Sequence, residues 1–450
     1  MSGKQINSQI SRRNAVKLGL AGALTGVALP RLASASPGPA AQRKVNRSQS
    51  EGEPVTLSYF YPVGVAGPLA KVMGGMVDTF NAEHPDVQVE ASFTGSYADT
   101  STKVQTAVQG DNPPDVAVLL STDLQTMLDL DAVLPLDDFI AGSDVDADDF
   151  NPAFFQDTQV EDQTWCLPFQ RSTPVLYYNK DALQTAGLDP ETPPQTWDEL
   201  VDFSKKIMEA DGAKWGVEIP STTSAYWLFQ ALAIQAGKNL NGDDRAHVNF
   251  NTPEATEALT WMVELSTKNE VMPTGAVDWS AAPTDFSSAT TAFLYHSTGS
   301  LQSILSQAQF EVGTAFLPKN KQFGAPTGGG NIYIFKDTSE ERQQAAWTFL
   351  QWMTSTEQAT AWSLASGYVP TRISSTESDE WKQYIAETPQ ATTALDQLQY
   401  AKPELTGHQS GQLQKIMDDA IQAAVTEQET PADALENAQQ RADSILEQFR

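Results

Sequence analysis

Short apolar runs alternate with longer amphipathic stretches along the first part of this chain. Residues 55–61, 87–93 and 116–120 are rich in β-branched, aromatic or aliphatic residues and predict strands. The last of these runs is continuously apolar, which is typical of a strand buried in a parallel sheet. Residues 69–83 and 102–109 lie between the runs and predict helices. Alternating units of this kind predict an α/β fold in which helices cover a largely parallel sheet.

The segment from residue 168 to 199 combines several structural signals in a fixed order. Residues 174–178 predict a buried strand, and Asn179 begins a group of turn formers that ends it. A short helix over 182–186 should stop at Gly187, and the prolines that follow make a stiff connector. Thr196 and Glu199 have the spacing of a capping box at the start of the next helix.

The rest of the chain predicts mainly helices. We expect helices at 197–210, 226–236, 253–268, 340–354, 356–365, 411–427 and 430–449, with strands at 293–296 and 311–316. About 395 residues follow the N-terminal spacer described below, which is too many for one hydrophobic core, so two domains are expected.

The first 35 residues predict an export signal. Arg12 and Arg13 precede an apolar stretch over 18–29 and an A-x-A cleavage site at 33–35, as in a twin-arginine signal peptide. Residues 36–54 are small, polar and proline-containing, and predict a disordered spacer. We expect an exported protein, soluble after signal removal, at the cell surface or, as we favour, in a periplasm. The single cysteine, Cys166, excludes an internal disulfide and lies too far from the signal to bear a lipid.

The chain is strongly acidic, with a formal net charge of −29. Residues 1–35 hold five basic and no acidic residues, so signal removal takes the net charge to −34. Such a charge argues against a nucleic-acid partner and is typical of a solvated, salt-tolerant surface.

Catalytic and metal-binding motifs are weak. The four histidines lack the spacing of metal ligands, and no serine-hydrolase or phosphate-loop motif is present. Residues 144–149 begin like a calcium loop, but Asp149 occupies the glycine position, so we expect a solvated acidic loop. The glycines at 328–330 lack dinucleotide-site spacing and are expected to let the backbone change lobes or approach a ligand closely. We therefore predict no catalytic residue, no metal and no cofactor.

Tyrosine and tryptophan, together with serine, threonine and asparagine, recur at predicted strand ends and turns. Aromatic rings cover the apolar faces of a sugar, and hydroxyl and amide groups satisfy its hydrogen bonds. This composition favours a polyol or sugar as ligand.

Several motifs resemble the family 1 extracellular solute-binding proteins of ABC importers, in particular members that bind sn-glycerol 3-phosphate or sugars. The resemblance extends from about residue 55 to 449. It implies a two-lobed periplasmic-binding-protein fold of type II, in which each lobe is an α/β sheet flanked by helices and a hinged cleft holds the ligand. The lobes would comprise 55–168 with 329–374 and 169–328 with 375–450. The motifs are Tyr178-Asn-Lys-Asp181 with Thr196-Trp197, Phe80-Asn81 with Pro85, Asn112-Pro-Pro-Asp115, Ser297-Thr-Gly-Ser-Leu301, Ser366-Gly-Tyr-Val-Pro370 and Thr430-Pro-Ala-Asp-Ala-Leu435.

The same resemblance implies ligand-binding residues. Five match positions that contact ligand in members that bind glycerol 3-phosphate, and three lie close to aromatic positions that line the same cleft. The first set is Tyr97, Ser172, Ser297, Gly329 and Tyr368, and the second is Tyr61, Tyr226 and Trp227.

Two departures from those members change the expected ligand. Ser121 stands where they have a glutamate that holds glycerol hydroxyls, and Gln414 stands where they have an arginine that grips phosphate. Enclosing a phosphate without its cation would cost several kcal/mol. Lys415 or Arg171 could supply the cation, but Arg171 precedes Ser172 in a strand and should point to the opposite face.

We therefore expect the scaffold to bind a neutral sugar or polyol. Glycerol 3-phosphate or a glycerophosphodiester is the alternative ligand, and a secreted carbohydrate-active enzyme is a distant alternative function. The expected partners are the small-molecule solute and the permease subunits of an ABC transporter in the membrane, and the protein is expected to be a monomer.

Overall fold

A computed structural model describes residues 53–65 and 67–450. The predicted signal peptide, and the predicted spacer as far as residue 52, lie outside the described residues. Within the described residues, no helix combines the length and the apolar character that a bilayer crossing requires.

The strands are short. They are β1 (Val55–Tyr61), β2 (Val87–Phe93), β3 (Val116–Leu120), β4 (Gln159–Val160), β5 (Gln163–Thr164), β6 (Leu167–Ser172), β7 (Pro174–Asn179), β8 (Trp215–Glu218), β9 (Thr291–Ser297), β10 (Val312–Ala315), β11 (Ala325–Pro326), β12 (Gly328–Ile334) and β13 (Ala401–Lys402). Strands β6, β7, β9, β11 and β12 are buried at every residue.

The helices alternate with these strands and dominate the C-terminal part. They are α1 (Leu69–Glu83), α2 (Tyr97–Gln109), α3 (Leu124–Asp129), α4 (Asp137–Ala141), α5 (Pro152–Phe155), α6 (Lys180–Thr185), α7 (Trp197–Glu209), α8 (Ala225–Ala236), α9 (Pro253–Thr267), α10 (Ala282–Ser287), α11 (Leu301–Gln307), α12 (Glu340–Met353), α13 (Thr356–Ser366), α14 (Ile373–Glu377), α15 (Asp379–Glu387), α16 (Thr392–Gln397), α17 (Ser410–Val425) and α18 (Pro431–Leu446).

The first lobe is built on a five-stranded sheet of order β2-β1-β3-β12-β6. Strands β1, β2 and β3 are parallel, and β12 lies antiparallel between β3 and β6. Helices α1 and α12 cover one face, where Phe349 packs edge-on against Tyr59 and Phe80 with ring centroids 5.1 and 4.9 Å apart. The predicted βαβ opening is confirmed.

The second lobe is built on a four-stranded sheet of order β10-β7-β9-β8. Strand β9 is antiparallel to β7 and parallel to β8. Helices α7 and α10 pack on this sheet, whereas α8, α9, α17 and α18 pack against one another, and every residue of α8 is buried. An α/β fold with two sheets flanked by helices matches the predicted fold class.

Two single-residue connections lie side by side between the lobes. Thr173 separates β6 of the first sheet from β7 of the second, Thr327 separates β11, which pairs with β13, from β12, and the Thr173 hydroxyl donates to the Pro326 carbonyl at 3.1 Å. Such short adjacent connections are where a hinge of the two-lobed fold is expected. Strand β6 stays in the first sheet to Ser172, beyond the boundary expected at residue 168; the lobe boundaries themselves stay a prediction.

Several elements differ from the sequence-based expectation, among them α2, β12 and β8. Helix α2 begins at Tyr97 rather than at residue 102, because Ser96 and Asp99 form a capping box. Strand β12 was not expected, although the three glycines it contains were expected to let the backbone change lobes or approach a ligand closely. Strand β8 was not expected, since its four residues are too short to show a pattern.

Candidate ligand-binding cleft

Aromatic side chains from both lobes enclose a cavity between the two sheets. We call it the aromatic cavity. Several of its residues stand at the ends of elements, with Tyr97 beginning α2, Ser172 ending β6 and Ser297 ending β9. Its lining consists of Gly64, Val65, Tyr97, Leu120, Ser172, Ser224, Tyr226, Trp227, Trp279, Ser297, Gly329, Tyr368 and Glu404.

Hydrogen bonds fix the aromatic rings of this cavity. Trp227 Nε1 donates to the Thr327 carbonyl at 2.8 Å, Trp279 Nε1 to the Gly64 carbonyl at 3.2 Å, and Tyr97 Oη to Gln170 Oε1 at 2.9 Å. The ring centroids of Trp227 and Trp279 are 6.3 Å apart at an angle of 60°. The polar atoms of these rings are bonded to protein, so the faces remain to contact a ligand.

Gly329 lets the backbone of β12 approach this cavity. Its φ is +85°, and a Cβ built on it would lie 1.9 Å from the Gln170 carbonyl oxygen. No other residue fits such a position without displacing β6.

A second cavity, of about 230 Å³, adjoins the aromatic one. We call it the polar cavity. Glu404 lines both cavities, and the consecutive residues Leu120 and Ser121 line one each. The polar cavity is lined by Ser121, Thr122, Leu124, Gln156, Asp157, Gln159, Arg245, Pro403, Glu404 and Thr406.

Burial controls the protonation of the acids here. Burial raises the pKa of Glu404 to about 8, although its hydrogen bond with Tyr226 opposes the shift. Burial likewise raises the pKa of Asp123 to about 7, against the hydrogen bond from Ser101. Glu404 is therefore largely a neutral acid near pH 7.

Arg171 and Arg245 both donate hydrogen bonds to protein acceptors. Arg171 is fully buried, and its guanidinium lies 2.7 Å from Asp157 and donates to Asn331 Oδ1 at 2.9 Å. It lines neither cavity, in agreement with the expectation that it points away from Ser172. Arg245, which the sequence did not single out, lines the polar cavity and donates to Gln125 Oε1 at 2.6 Å.

The structure brings most of the predicted site residues together. Ser121 lines the polar cavity, and Gln414 donates to the hydroxyl of its neighbour Thr122 at 3.0 Å. Tyr61 lies in the core instead, where its hydroxyl donates to the Ala70 carbonyl at 3.2 Å. The predicted residues that line the aromatic cavity are Tyr97, Ser172, Tyr226, Trp227, Ser297, Gly329 and Tyr368. Their role in binding stays a prediction.

Sequence reasoning missed Trp279, Arg245 and Glu404. Each lies in a connecting segment outside regular elements, where local periodicity says nothing about three-dimensional position. Only the assembled fold brings them to the cleft.

The acidic segment at 144–149 serves the fold of the first lobe. Asp149 accepts hydrogen bonds from the Ser374 backbone at 2.8 Å and hydroxyl at 2.6 Å, and Arg372 lies 3.4 Å away. Across residues 53–65 and 67–450, no group of three or more histidine, cysteine, aspartate or glutamate residues is placed to hold a metal ion.

Comparison with known proteins identifies the family. Residues 75–435 match the family model for bacterial extracellular solute-binding proteins. The chain belongs to this family. The family resemblance inferred from the sequence is thereby confirmed, and the chain is the solute-binding component of an ABC importer.

Relatives of this solute-binding protein include the sn-glycerol-3-phosphate-binding periplasmic protein UgpB of Escherichia coli. The two are 29% identical over 406 residues, which cover 85% of this chain and 91% of the relative. Among solved structures, UgpB from Mycobacterium tuberculosis in complex with glycerophosphocholine gives a TM-score of 0.79 at 24% identity, covering 88% of this chain and 99% of that one. Maltose-bound MalE3 of T. maritima gives 0.78 at 23% identity, covering 87% and 100%. These structures share the two-lobed fold.

Proposed function

We propose that this solute-binding protein captures a neutral sugar or polyol between its lobes and delivers it to ABC permease subunits. The lining of the aromatic cavity supports this ligand class most strongly. It offers aromatic faces, serine hydroxyls and a glycine backbone, and none of the described residues that line it is a lysine, arginine or histidine. Such a lining suits a sugar ring better than an anion.

The cations suggested by the sequence do not reach the cleft. Lys415 is exposed and bonds Asp419 at 3.0 Å on the surface, and Arg171 is held by Asp157. Gln414 presents a neutral amide beside Thr122. These contacts favour a neutral solute.

Glycerol 3-phosphate or a glycerophosphodiester is the second candidate, and Arg245 is the observation that favours it. Arg245 lines the polar cavity, and its guanidinium has one acceptor among the described residues, at 2.6 Å, so it has further donors for an anion. Relatives that bind such compounds have the same overall fold.

A thermal-shift screen separates the two candidates. The mature protein is heated with glucose, maltose, trehalose, glycerol, glycerol 3-phosphate or glycerophosphocholine. A ligand at about 100 times its dissociation constant should stabilise the fold by about 2.7 kcal/mol and raise Tm by several degrees. The proposal expects a shift with a neutral compound; a shift with the phosphate compounds alone would replace it by the second candidate.

The variant Arg245→Gln tests the second candidate directly. If Arg245 grips phosphate, the variant should bind glycerol 3-phosphate at least about tenfold more weakly, since a charge-assisted hydrogen bond contributes about 1.5–3 kcal/mol. Arg441→Gln, which alters a surface pair 3.0 Å from Asp419, is the matched control.

We further infer that the protein is exported by a twin-arginine signal, acts as a monomer in the periplasm or at the cell surface, and performs no catalysis. Replacing Arg12 and Arg13 by lysine should leave the precursor in the cytoplasm, as cell fractionation would show.

A glycosidase needs two carboxyl groups about 5–9.5 Å apart in its cleft. Asp157 is bonded by Arg171 and Thr327, so Glu404 has no free carboxylate partner in the polar cavity. Release of a new sugar from any compound in the panel would contradict the binding role.

A further inference from the structure

Glu404 stands at the junction of the aromatic and polar cavities. It lies between β13 and α17 and is 3% exposed. Its loop is held rigidly, because Asn241 Nδ2 donates to the Glu404 carbonyl at 3.0 Å and Gln230 Oε1 accepts from the Leu405 backbone at 2.9 Å. The position of this carboxyl is therefore set by the protein before any solute enters.

One oxygen of this carboxyl is occupied and the other is free. Oε1 accepts a hydrogen bond from the Tyr226 hydroxyl at 2.6 Å, whereas Oε2 is buried and has no partner among the described residues. A buried polar atom without a partner is costly, and proteins retain few of them. Since Glu404 lines both cavities, a molecule placed there lies beside the residue that holds this unpartnered oxygen.

We propose that Glu404 is a specificity-determining residue whose Oε2 hydrogen-bonds a hydroxyl group of the solute. The solute is a sugar or polyol with its ring in the aromatic cavity and a hydroxylated end in the polar cavity. This inference rests on the proposed function and adds to it the residue that selects the hydroxyl.

The chemistry of the junction favours a hydroxyl over a cation. A hydroxyl both donates and accepts, so it matches Glu404 in either protonation state. An ammonium group would require the ionised carboxylate, which burial disfavours. The hydroxyls of Ser121 and Thr406 on the wall of the polar cavity extend the same kind of hydrogen bonding.

Calorimetric titration of two Glu404 variants tests the inference. The probe is the neutral compound, among glucose, maltose, trehalose and glycerol, that binds the wild-type protein most tightly. Glu404→Ala removes the hydrogen-bonding oxygen and should weaken binding by about 10- to 100-fold, the effect of a lost hydrogen bond to an ionisable group. Glu404→Gln keeps the shape and a polar group and should recover most of that loss.

Glu218→Ala is the matched control. Glu218 is also buried, at 2% exposed, with an unpartnered Oε2, but it ends β8 and lines neither cavity. The Glu218→Ala variant should bind the probe with an affinity within about threefold of that of the wild type. Thermal unfolding of each variant verifies that the variant is folded.

A contact is separated from a structural role by the monodeoxy analogues of the probe. The wild-type protein should bind one of these analogues about tenfold more weakly than it binds the probe. Glu404→Ala should bind that analogue and the probe equally well. The inference would be overturned if Glu404→Ala bound the probe with wild-type affinity, or if Glu404→Gln bound it as weakly as Glu404→Ala does. Either result would leave the proposed function standing. If no neutral compound binds the wild type, the proposed function fails and this inference fails with it.

Discussion

The cleft depends on a few side chains whose polar atoms are already bonded to protein. Trp227, Trp279 and Tyr97 each donate to an oxygen of the protein, which holds their rings against the cavity. A solute therefore meets preorganised surfaces and loses less free energy in ordering them. Glu404 is the exception, because Oε2 of its carboxyl has no partner within residues 53–65 and 67–450.

Glu404 should make the stability of the protein depend on pH. Its folded pKa of about 8 lies above the ordinary value of 4.5, so the stability gained from the neutral buried acid is complete below pH 4.5 and is lost as the pH rises through 8. The stability of the wild type relative to Glu404→Gln should fall by about 1.4 kcal/mol per pH unit within this window. Urea unfolding of both proteins from pH 4 to 9 measures this difference.

The corresponding Glu218→Gln variant calibrates the result. Burial raises the pKa of Glu218 to about 7, so its window should close about one unit lower than that of Glu404. A wild-type stability that stays parallel to that of Glu404→Gln across this range would show that Glu404 is ionised in the folded protein.

Among the elements, β12 combines the most constraints. It is the antiparallel strand between β3 and β6, it carries a register shift between Gly330 and Asn331, and it presents Gly329 to the aromatic cavity. The close approach of its backbone to Gln170 explains why glycines stand in a central strand.

Gly329→Ala should destabilise the protein strongly. The new Cβ would clash with the Gln170 carbonyl in a backbone conformation with positive φ, so we expect a loss of at least about 2 kcal/mol. Gly75→Ala is the control, because Gly75 lies inside α1 with no atom within 4 Å of a new Cβ. That change should stabilise the fold by about 0.5–1 kcal/mol. Equal unfolding midpoints for the two variants would contradict the strain at Gly329.

The elements with a clear period could be predicted from the sequence, and those shaped by long-range contacts could not. The strands β1 to β3 and the helices α1 and α7 show their pattern locally, so their positions were found. Strand β12 was missed because glycines have no strand propensity, and its place comes from the partners β3 and β6. The loop residues Trp279 and Glu404 could not be predicted either, because long-range contacts between the lobes set their positions.

At the scale of the whole molecule, the two lobes already touch across the cleft. Gln414 donates to Thr122 at 3.0 Å and Arg245 to Gln125 at 2.6 Å, each joining the second lobe to the first. The aromatic cavity measures about 50 Å³, which is too small for a sugar ring. We therefore expect the lobes to stand farther apart when the ring of a solute occupies this cavity.

The acidic surface should make the mature protein more stable in salt. A net charge of −34 after signal removal produces self-repulsion, which counterions screen over about 10 Å at 0.1 M ionic strength. We expect Tm to rise by several degrees between about 10 mM and 0.5 M NaCl at pH 7. Scanning calorimetry at constant buffer measures the shift, and a Tm that falls with NaCl would contradict a repulsive surface.

A crystal structure of the mature protein with the neutral compound that raises Tm most tests the central claim most directly. We predict that the solute lies between the lobes, with its ring against Trp227 or Trp279 and a hydroxyl within hydrogen-bonding distance of Glu404 Oε2. Solute bound outside the cleft, for example in the surface groove beside Trp197 and Trp261, would contradict the account.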